Sequence, residues 1–166
     1  MITPQDITIV ICHGSYHTPI AYTPFINALK SQGYEVHCPQ RPTCDLSRLN
    51  VGDTANPDFT NDPPPGGYPT DTDDVATTQA LLDQLIKKEN KQVLLAARSS
   101  GGYIATQAAT PAYQAQARKR AGESGGIIGI FYFGAFLIPV GESVHTFFNK
   151  DVKPDDPLPP FFKFYV

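Results

Sequence analysis

The sequence predicts an α/β fold with a mostly parallel β-sheet and helices on both faces. Segments of strand type and of helix type alternate along the chain, and this order favours a parallel sheet with right-handed crossovers. The strand-like segments are apolar throughout, as is typical of parallel strands that are covered on both faces. With 166 residues, 41% of them hydrophobic, the chain is long enough to form one globular domain with a hydrophobic core.

The first third of the chain predicts a strand, a helix and a second strand. The β-branched run Ile7–Cys12 is the first strand. A helix follows with Thr23 as its N-cap, Pro24 at its first position and Gly33 just past its end. Residues 34–39, "YEVHCP", predict the second strand, which the proline ends. The predicted apolar face of the helix comprises Phe25, Ala28 and Leu29.

A second helix is predicted after a stretch rich in Pro and Gly, residues 56–69, which favours an irregular excursion. Thr70 and Asp73 form a capping-box pair at the helix start. Asp71 and Asp74 add negative charge to the first turn, where the helix dipole favours it. The stripe predicted to be buried consists of Val75, Leu82, Leu85 and Ile86.

The third strand, a broken helix and the fourth strand follow. Gln92–Ala97 is the third strand, and a helix begins after Ser99. Thr110–Pro111 interrupts this helix, and its second piece ends near Gly122. Gly126–Pro139 is the fourth strand with its exit turn. Ser99 therefore lies on a corner between a strand and a helix, where a nucleophile can stand clear of the fold.

Composition argues against several classes of protein. The net charge is −3, and the largest basic block is Arg118–Arg120, so neither nucleic acid nor an anionic membrane is an expected partner. The longest apolar stretch, residues 127–140, is too short to span a bilayer, and the N-terminus lacks the basic region of a signal peptide. An intracellular, cytoplasmic protein is predicted. The cysteines lack metal-ligand spacing and are expected to be buried small hydrophobes: Cys12, Cys38 and Cys44.

Two short stretches, "CHGSY" after the first strand and "ARSSGG" after the third, resemble the α/β-hydrolase superfamily. The rest of the sequence between Ile7 and Phe148 looks like the fungal, esterase-like branch of this superfamily. In that family the nucleophile lies in a Gly-x-Ser-x-Gly turn, and the resemblance places the nucleophile at Ser99 and the last glycine at Gly101. Ala97 stands where the first glycine is usual, and Arg98 stands where family members usually carry histidine.

The resemblance also implies an oxyanion hole, a set of fixed N–H donors for the negative oxygen formed during acyl transfer. One donor would be the backbone N–H of Ser100. The other would come from the segment formed by Gly14, Ser15 and Tyr16. His13 is expected to support this loop as a structural histidine, rather than to act as a base.

A serine hydroxyl needs a base and an acid that orients the base. His145 is the only histidine after Ser99, and Glu142 is the candidate acid near it. The family's histidine usually lies well downstream, and the apolar fourth strand has no later strand to pair with. We therefore expect residues 1–148 to be the N-terminal part of an α/β-hydrolase domain, incomplete at its C-terminus, and residues 149–166 to be the start of a cap or an irregular tail.

The resemblance implies a serine hydrolase that acts on a carboxylic ester, thioester or lactone, with a small molecule, such as a fungal secondary metabolite, as substrate. Neither a metal nor an organic cofactor is expected. A lyase or acyl transferase on the same scaffold is a related alternative. A catalytically inactive remnant that binds a small molecule is an alternative from another class. A nucleotide-binding domain is disfavoured, because "ARSSGG" matches no phosphate-binding glycine pattern.

Overall fold

The sheet of this protein is parallel, as predicted. The computed structural model describes residues 3–150, and in this range the sheet has four strands: β1 (Ile7–Cys12), β2 (Glu35–His37), β3 (Gln92–Ser99) and β4 (Gly126–Ala135). The strand order is β2-β1-β3-β4, and every neighbouring pair is parallel. The structure does not describe residues 151–166, so most of the predicted cap or tail segment, residues 149–166, lies outside the described range.

The helices connect the strands in the order that the sequence predicts. They are α1 (Thr23–Ser31), α2 (Asp71–Leu82), α3 (Gly101–Ala108), α4 (Ala115–Arg120) and α5 (Val144–Phe148). A π-helical segment, Asp83–Lys88, extends α2. None of the helices in the described range is long and apolar enough to cross a membrane.

Two hydrophobic clusters cover the two faces of the sheet. Successive side chains of a strand point to opposite faces, so Ile9 and Ile11 of β1 belong to one cluster and Val10 and Cys12 to the other. The first cluster packs against α1. The second packs against α2 and its extension through three fully buried side chains, Leu82, Leu85 and Ile86. Each such side chain contributes about 1.5–3 kcal/mol through burial.

The structure corrects the prediction for α1. Thr23 is the first helical residue, and Tyr22 occupies the N-cap position, because a 3-10 turn at Pro19–Tyr22 leads directly into the helix. Phe25 and Ala28 are exposed, and Ile26 packs with Leu29 against the sheet instead. β2 is also shorter than predicted, three residues instead of six.

The start of α2 and the environment of the cysteines agree with the sequence. The backbone N–H of Thr70 donates to the Asp73 carboxylate at 2.7 Å, which completes the capping box. Cys12 and Cys44 are buried, Cys38 is half-buried, and all three are free thiols. Burial raises the pKa of Cys12 to about 12 and that of Cys38 to about 11. Cys12 and Cys38 are therefore protonated at neutral pH.

β4 forms the edge of the described sheet. Its ten residues pair with β3 on one side. Ile128 is 43% exposed and Phe131 is 57% exposed. A long apolar edge strand of this kind is open to pairing with further strands.

Candidate active site

Ser99 lies at the corner between β3 and α3 in a strained backbone conformation. It is the last residue of β3, and its φ is +52°. Four residues other than glycine have positive φ in the described chain: Tyr16, Asn50, Asn90 and Ser99. Asparagine adopts this conformation readily, whereas tyrosine and serine do so much less often. Tyr16 and Ser99 are therefore the two unusual cases, and both belong to the motifs that the sequence places at the site.

Close packing requires small residues after Ser99. A Cβ atom on Gly101 would clash with the backbone carbonyl of Cys12, and one on Gly102 would clash with the carbonyl of Phe136. α3 can therefore start beside the sheet only because these positions carry no side chain. Only Ser100 separates the end of β3 at Ser99 from the start of α3 at Gly101.

Ala97 and Arg98, the two departures from the family pattern, occupy different environments. Ala97 is fully buried and pairs in register with Cys12 on one side and Tyr132 on the other. The strand accommodates its methyl group within the core. Arg98 is exposed, beside the nucleophile corner.

The loop after β1 lies directly against Ser99. A Cβ on Gly14 would be 3.0 Å from Ser99 Cβ and 3.6 Å from Ser99 Oγ. The structure thus brings together the two motifs that the sequence singled out, although 85 positions separate Ser15 from its contact Ser100. A substrate above Ser99 would meet the backbone of this loop.

His13 supports the loop through both ring nitrogens. It is fully buried, with Nδ1 2.9 Å from the Gly14 carbonyl and Nε2 3.3 Å from the backbone nitrogen of Arg41. A carbonyl only accepts and an N–H only donates, so Nδ1 carries the hydrogen and Nε2 accepts. Burial lowers the pKa of His13, which keeps it neutral. This is the structural role that the sequence predicted.

Two of the expected oxyanion donors are already engaged. The Gly14 N–H donates to Tyr22 Oη at 3.2 Å, and the Ser15 N–H donates to Ser100 Oγ at 2.9 Å. Among the described residues, neither the Tyr16 N–H nor the Ser100 N–H donates to a protein acceptor. These two backbone donors are therefore the ones available to a substrate oxygen.

Beneath the loop lies a buried ion pair between Arg41 and Asp74, which are 3% and 0% exposed. Arg41 donates through Nε and Nη2 to Asp74 Oδ2 at 2.8 and 2.7 Å. Its Nη1 donates to the His13 carbonyl at 3.0 Å and to Ser100 Oγ at 2.8 Å. Thr43 adds two hydrogen bonds to the Asp74 carboxylate. The guanidinium thus joins the loop, the start of α2 and the serine corner.

Sequence reasoning missed this ion pair. Asp74 lies in the first turn of α2, as predicted, but nothing in the sequence indicated that Arg41 would reach it from the loop after β2. A lone arginine between Gln40 and Pro42 gives no periodic or motif signal. Only the folded chain reveals that it lies under the site.

The candidate acid Glu142 is engaged in an ion pair. Its Oε1 is 2.6 Å from Lys150 Nζ, and the carboxylate forms no hydrogen bond with Ser99 in the described structure. The side chain of His145 lies outside the described residues, so its pairing with Glu142 stays a prediction. Glu142 lines a cavity of about 270 Å³ beside α3, with Tyr103, Thr106, Gln107 and residues 138–141.

A second cavity, of about 230 Å³, lies on the α1 side of the nucleophile corner. It is lined by His17, Ala21, Tyr22, Phe25, Arg98 and Phe133. Tyr22 connects it to the loop, since its Oη accepts from Gly14 and lies 3.0 Å from His17 Nδ1. The cavity combines aromatic walls with the Arg98 guanidinium.

The described residues hold no group of three or more His, Cys, Asp or Glu side chains that could bind a metal ion. The polar groups around Ser99 are instead hydroxyls, backbone N–H groups and one buried guanidinium. These groups can donate hydrogen bonds to a developing negative charge.

Comparisons with known proteins agree with this geometry. A family model described as "Alpha/beta hydrolase family" matches residues 9–165. A solved extracellular α/β-hydrolase from a Paenibacillus species, described as sharing structural and functional homology with tobacco salicylic acid binding protein 2, superposes with a TM-score of 0.52 and 18% identity. The match covers 80% of this chain and 42% of that chain, and at this identity it bears on the fold alone. No curated protein matches the sequence.

Proposed function

This chain belongs to the alpha/beta hydrolase family, and from this premise we propose that it is a serine hydrolase whose nucleophile is Ser99. Family membership suggests hydrolase activity in general. The finer assignment rests on one observation, the positive φ of Ser99 at the strand-to-helix corner. Strained backbone at a residue that is neither glycine nor asparagine persists where the surrounding fold enforces it, and such positions cluster at active sites.

The proposed reaction is acyl transfer to serine followed by hydrolysis. Ser99 Oγ forms a bond to the acyl carbon while a base takes its proton, and the carbonyl π electrons move onto the oxygen. When the oxyanion collapses, the bond to the leaving group breaks and the leaving group takes the proton. Water then attacks the acyl-enzyme by the same steps, releasing the acid and restoring Ser99.

Backbone donors would stabilise the oxyanion in this reaction. The Ser100 N–H and the Tyr16 N–H are proposed for this role, since both lack a protein acceptor among the described residues. Ser100 precedes the first residue of α3, where the helix dipole also favours negative charge. Loss of one such donor typically costs about 100-fold or more in rate.

The proposed base and acid remain His145 and Glu142. His145 is the only histidine in the sequence after Ser99. Glu142 Oε1 pairs with Lys150, while its buried Oε2 has no hydrogen-bond partner in the described structure, so Oε2 is the atom that would accept from the imidazole. This pair is supported by sequence order alone, so the experiment below tests it separately.

We propose a small carboxylic ester, thioester or lactone as substrate, in keeping with the resemblance to esterase-like hydrolases. The cavity beside Arg98 supports a substrate that carries an aromatic or apolar group and a negative charge. Phe25 and Phe133 would contact the apolar part, while the guanidinium would attract the charge. No metal or organic cofactor enters this scheme.

One observation favours a second candidate function, small-molecule binding without catalysis. Among the described side chains Ser99 Oγ has no hydrogen bond to a histidine, and the candidate acid Glu142 pairs with a lysine. A chain without a working base would keep the cavities but not the reaction.

Labelling with a fluorophosphonate probe distinguishes the two candidates. The purified, folded chain is expected to acquire the label, Ser99→Ala to lose it, and the exposed Ser47→Ala to retain it. His145→Ala is expected to abolish labelling if His145 is the base. A folded wild-type chain that never labels would contradict the hydrolase proposal and leave binding as the function.

A further inference from the structure

The hydroxyl of Ser100 is saturated with hydrogen bonds, and this fixes their directions. Its oxygen lies 2.8 Å from Arg41 Nη1, 2.9 Å from Ser15 N and 2.7 Å from Ser15 Oγ. A hydroxyl has two acceptor lone pairs and one hydrogen. The guanidinium and the backbone N–H can only donate, so they occupy both lone pairs. The Ser100 hydrogen must then point to Ser15 Oγ.

The Ser15 hydroxyl consequently has a hydrogen to offer. Within the described chain, Ser15 Oγ contacts Ser100 Oγ and no other hydrogen-bonding atom. As it accepts the Ser100 hydrogen, its own hydrogen points elsewhere. Ser15 is half-buried and follows Gly14, whose backbone lies against Ser99. Its hydroxyl therefore sits at the rim of the nucleophile corner.

The hydrogen bonds form a chain with a positive charge at its buried end. Arg41 directs Nε and Nη2 to Asp74, and Nη1 toward the serines. Each hydroxyl in the chain donates away from the guanidinium. Aligned hydrogen bonds of this kind polarise one another, which strengthens the last donor toward an anion.

We propose that the Ser15 hydroxyl is a side-chain donor to the substrate oxyanion, with Ser100 and Arg41 as the positioning residues that aim it. This inference rests on the proposed function of Ser99. The backbone N–H of Ser15 already donates to Ser100 Oγ. The Ser15 side chain therefore supplies the donor that its backbone does not. The group it would recognise is the negatively charged oxygen of the tetrahedral acyl-transfer intermediate.

The test is the second-order rate of fluorophosphonate labelling, since the phosphoryl oxygen occupies the position of the oxyanion. Ser15→Ala is expected to label about 100-fold more slowly. Ser15→Thr retains a hydroxyl and is expected to restore most of the rate. The exposed Ser47→Ala is the matched control and is expected to label as the wild type does. Thermal unfolding of each variant verifies that it is folded.

A double-mutant cycle tests the chain of hydrogen bonds. Ser100→Ala removes the group that aims the Ser15 hydroxyl, and it is expected to slow labelling. Because the two serines would act as a unit, the double variant is expected to be no slower than Ser15→Ala. If the rate losses of the two single variants add up in the double variant, the proposed chain of hydrogen bonds is contradicted.

The outcomes separate this inference from the proposed function. A wild-type chain that does not label overturns both. A labelled wild type with a folded Ser15→Ala variant of equal rate overturns the inference alone. If Ser15→Ala does not fold, a Ser100→Ala variant that labels at the wild-type rate overturns it, and one that labels slowly supports it.

Discussion

Arg41 Nη2 lies 2.7 Å from Asp74 Oδ2 inside the protein, although 33 positions separate the two residues in the sequence. The pair fixes the loop after β2 to the start of α2 directly beneath the candidate active site. The same guanidinium donates to Ser100 and to the carbonyl of His13. Stability and site geometry therefore depend on one ion pair.

Breaking this ion pair is expected to destabilise the fold strongly. Asp74→Asn would leave the buried Arg41 charge with only the exposed Asp71 carboxylate, 3.8 Å away, as counter-ion, and breaking a buried ion pair typically costs about 3–5 kcal/mol. Asp71→Asn is the control, because Asp71 is 60% exposed and lies 3.8 Å from Arg41; its loss is expected to cost about 0–1 kcal/mol. Urea unfolding measures both. Equal unfolding free energies for the two variants would contradict a structural role for Asp74.

The close approach of α3 to β1 makes a different prediction. Gly101→Ala would drive a methyl group into the Cys12 carbonyl, and we expect a loss of about 2 kcal/mol or more. Gly129→Ala is the matched control in β4, since its methyl would meet Leu94 at an ordinary 3.7 Å. Thermal unfolding compares them. A Gly101→Ala variant as stable as Gly129→Ala would show that the corner is looser than described.

The pH dependence of stability is expected to involve Glu35. Hydrogen bonds from Lys91 and His37 lower the pKa of Glu35 from 4.5 to about 2. A lowered carboxyl pKa stabilises the folded state above pH 4.5, and this contribution disappears as the pH falls toward 2. Glu35 is 39% exposed, so solvent screening limits the effect to about 0–1 kcal/mol.

Urea unfolding at pH 6 and pH 3 measures this contribution. The wild type is expected to lose more stability between the two values than Glu35→Gln. The exposed Glu89→Gln variant is the control and should follow the wild type. A Glu35→Gln variant with the wild-type pH dependence would mean that the Lys91 contact contributes nothing.

Arg98 is expected to set the charge preference of the substrate. Arg98→His should raise hydrolysis of neutral p-nitrophenyl acetate relative to the anionic p-nitrophenyl hemisuccinate, by roughly fivefold for about 1 kcal/mol of lost attraction. Arg98→Lys keeps the charge and should keep the wild-type ratio. The same ratio in all three proteins would exclude a role for this charge.

Much of the scaffold could be predicted from local sequence. β1 has the predicted bounds because its run of β-branched residues favours one conformation, and Thr70 with Asp73 marks the start of α2 through a purely local hydrogen bond. The prediction for the face of α1 was right for Leu29 and wrong for Phe25 and Ala28. The Phe25 ring contacts the Phe133 ring at a tilted angle, 5.8 Å between centroids, while Ile26 packs inward, and only the tertiary packing decides between adjacent apolar residues.

The candidate site was predictable in part. Motif spacing placed Ser99 and Gly14 at the ends of two strands, and the parallel sheet brings these ends together. The chain from Arg41 through Ser100 to Ser15 was not predictable, since no periodicity relates a lone arginine after β2 to a serine after β3. Long-range polar contacts of this kind depend on the completed fold.

Mapping the fluorophosphonate adduct by tandem mass spectrometry tests the central claim most directly. The peptides that contain Ser15, Ser99 and Ser100 provide three adjacent hydroxyls, and only Ser99 has the conformation of a nucleophile corner. We predict a single adduct on Ser99. An adduct on Ser15 or Ser100, or none on the folded wild-type chain, would contradict the assignment of Ser99 as the nucleophile.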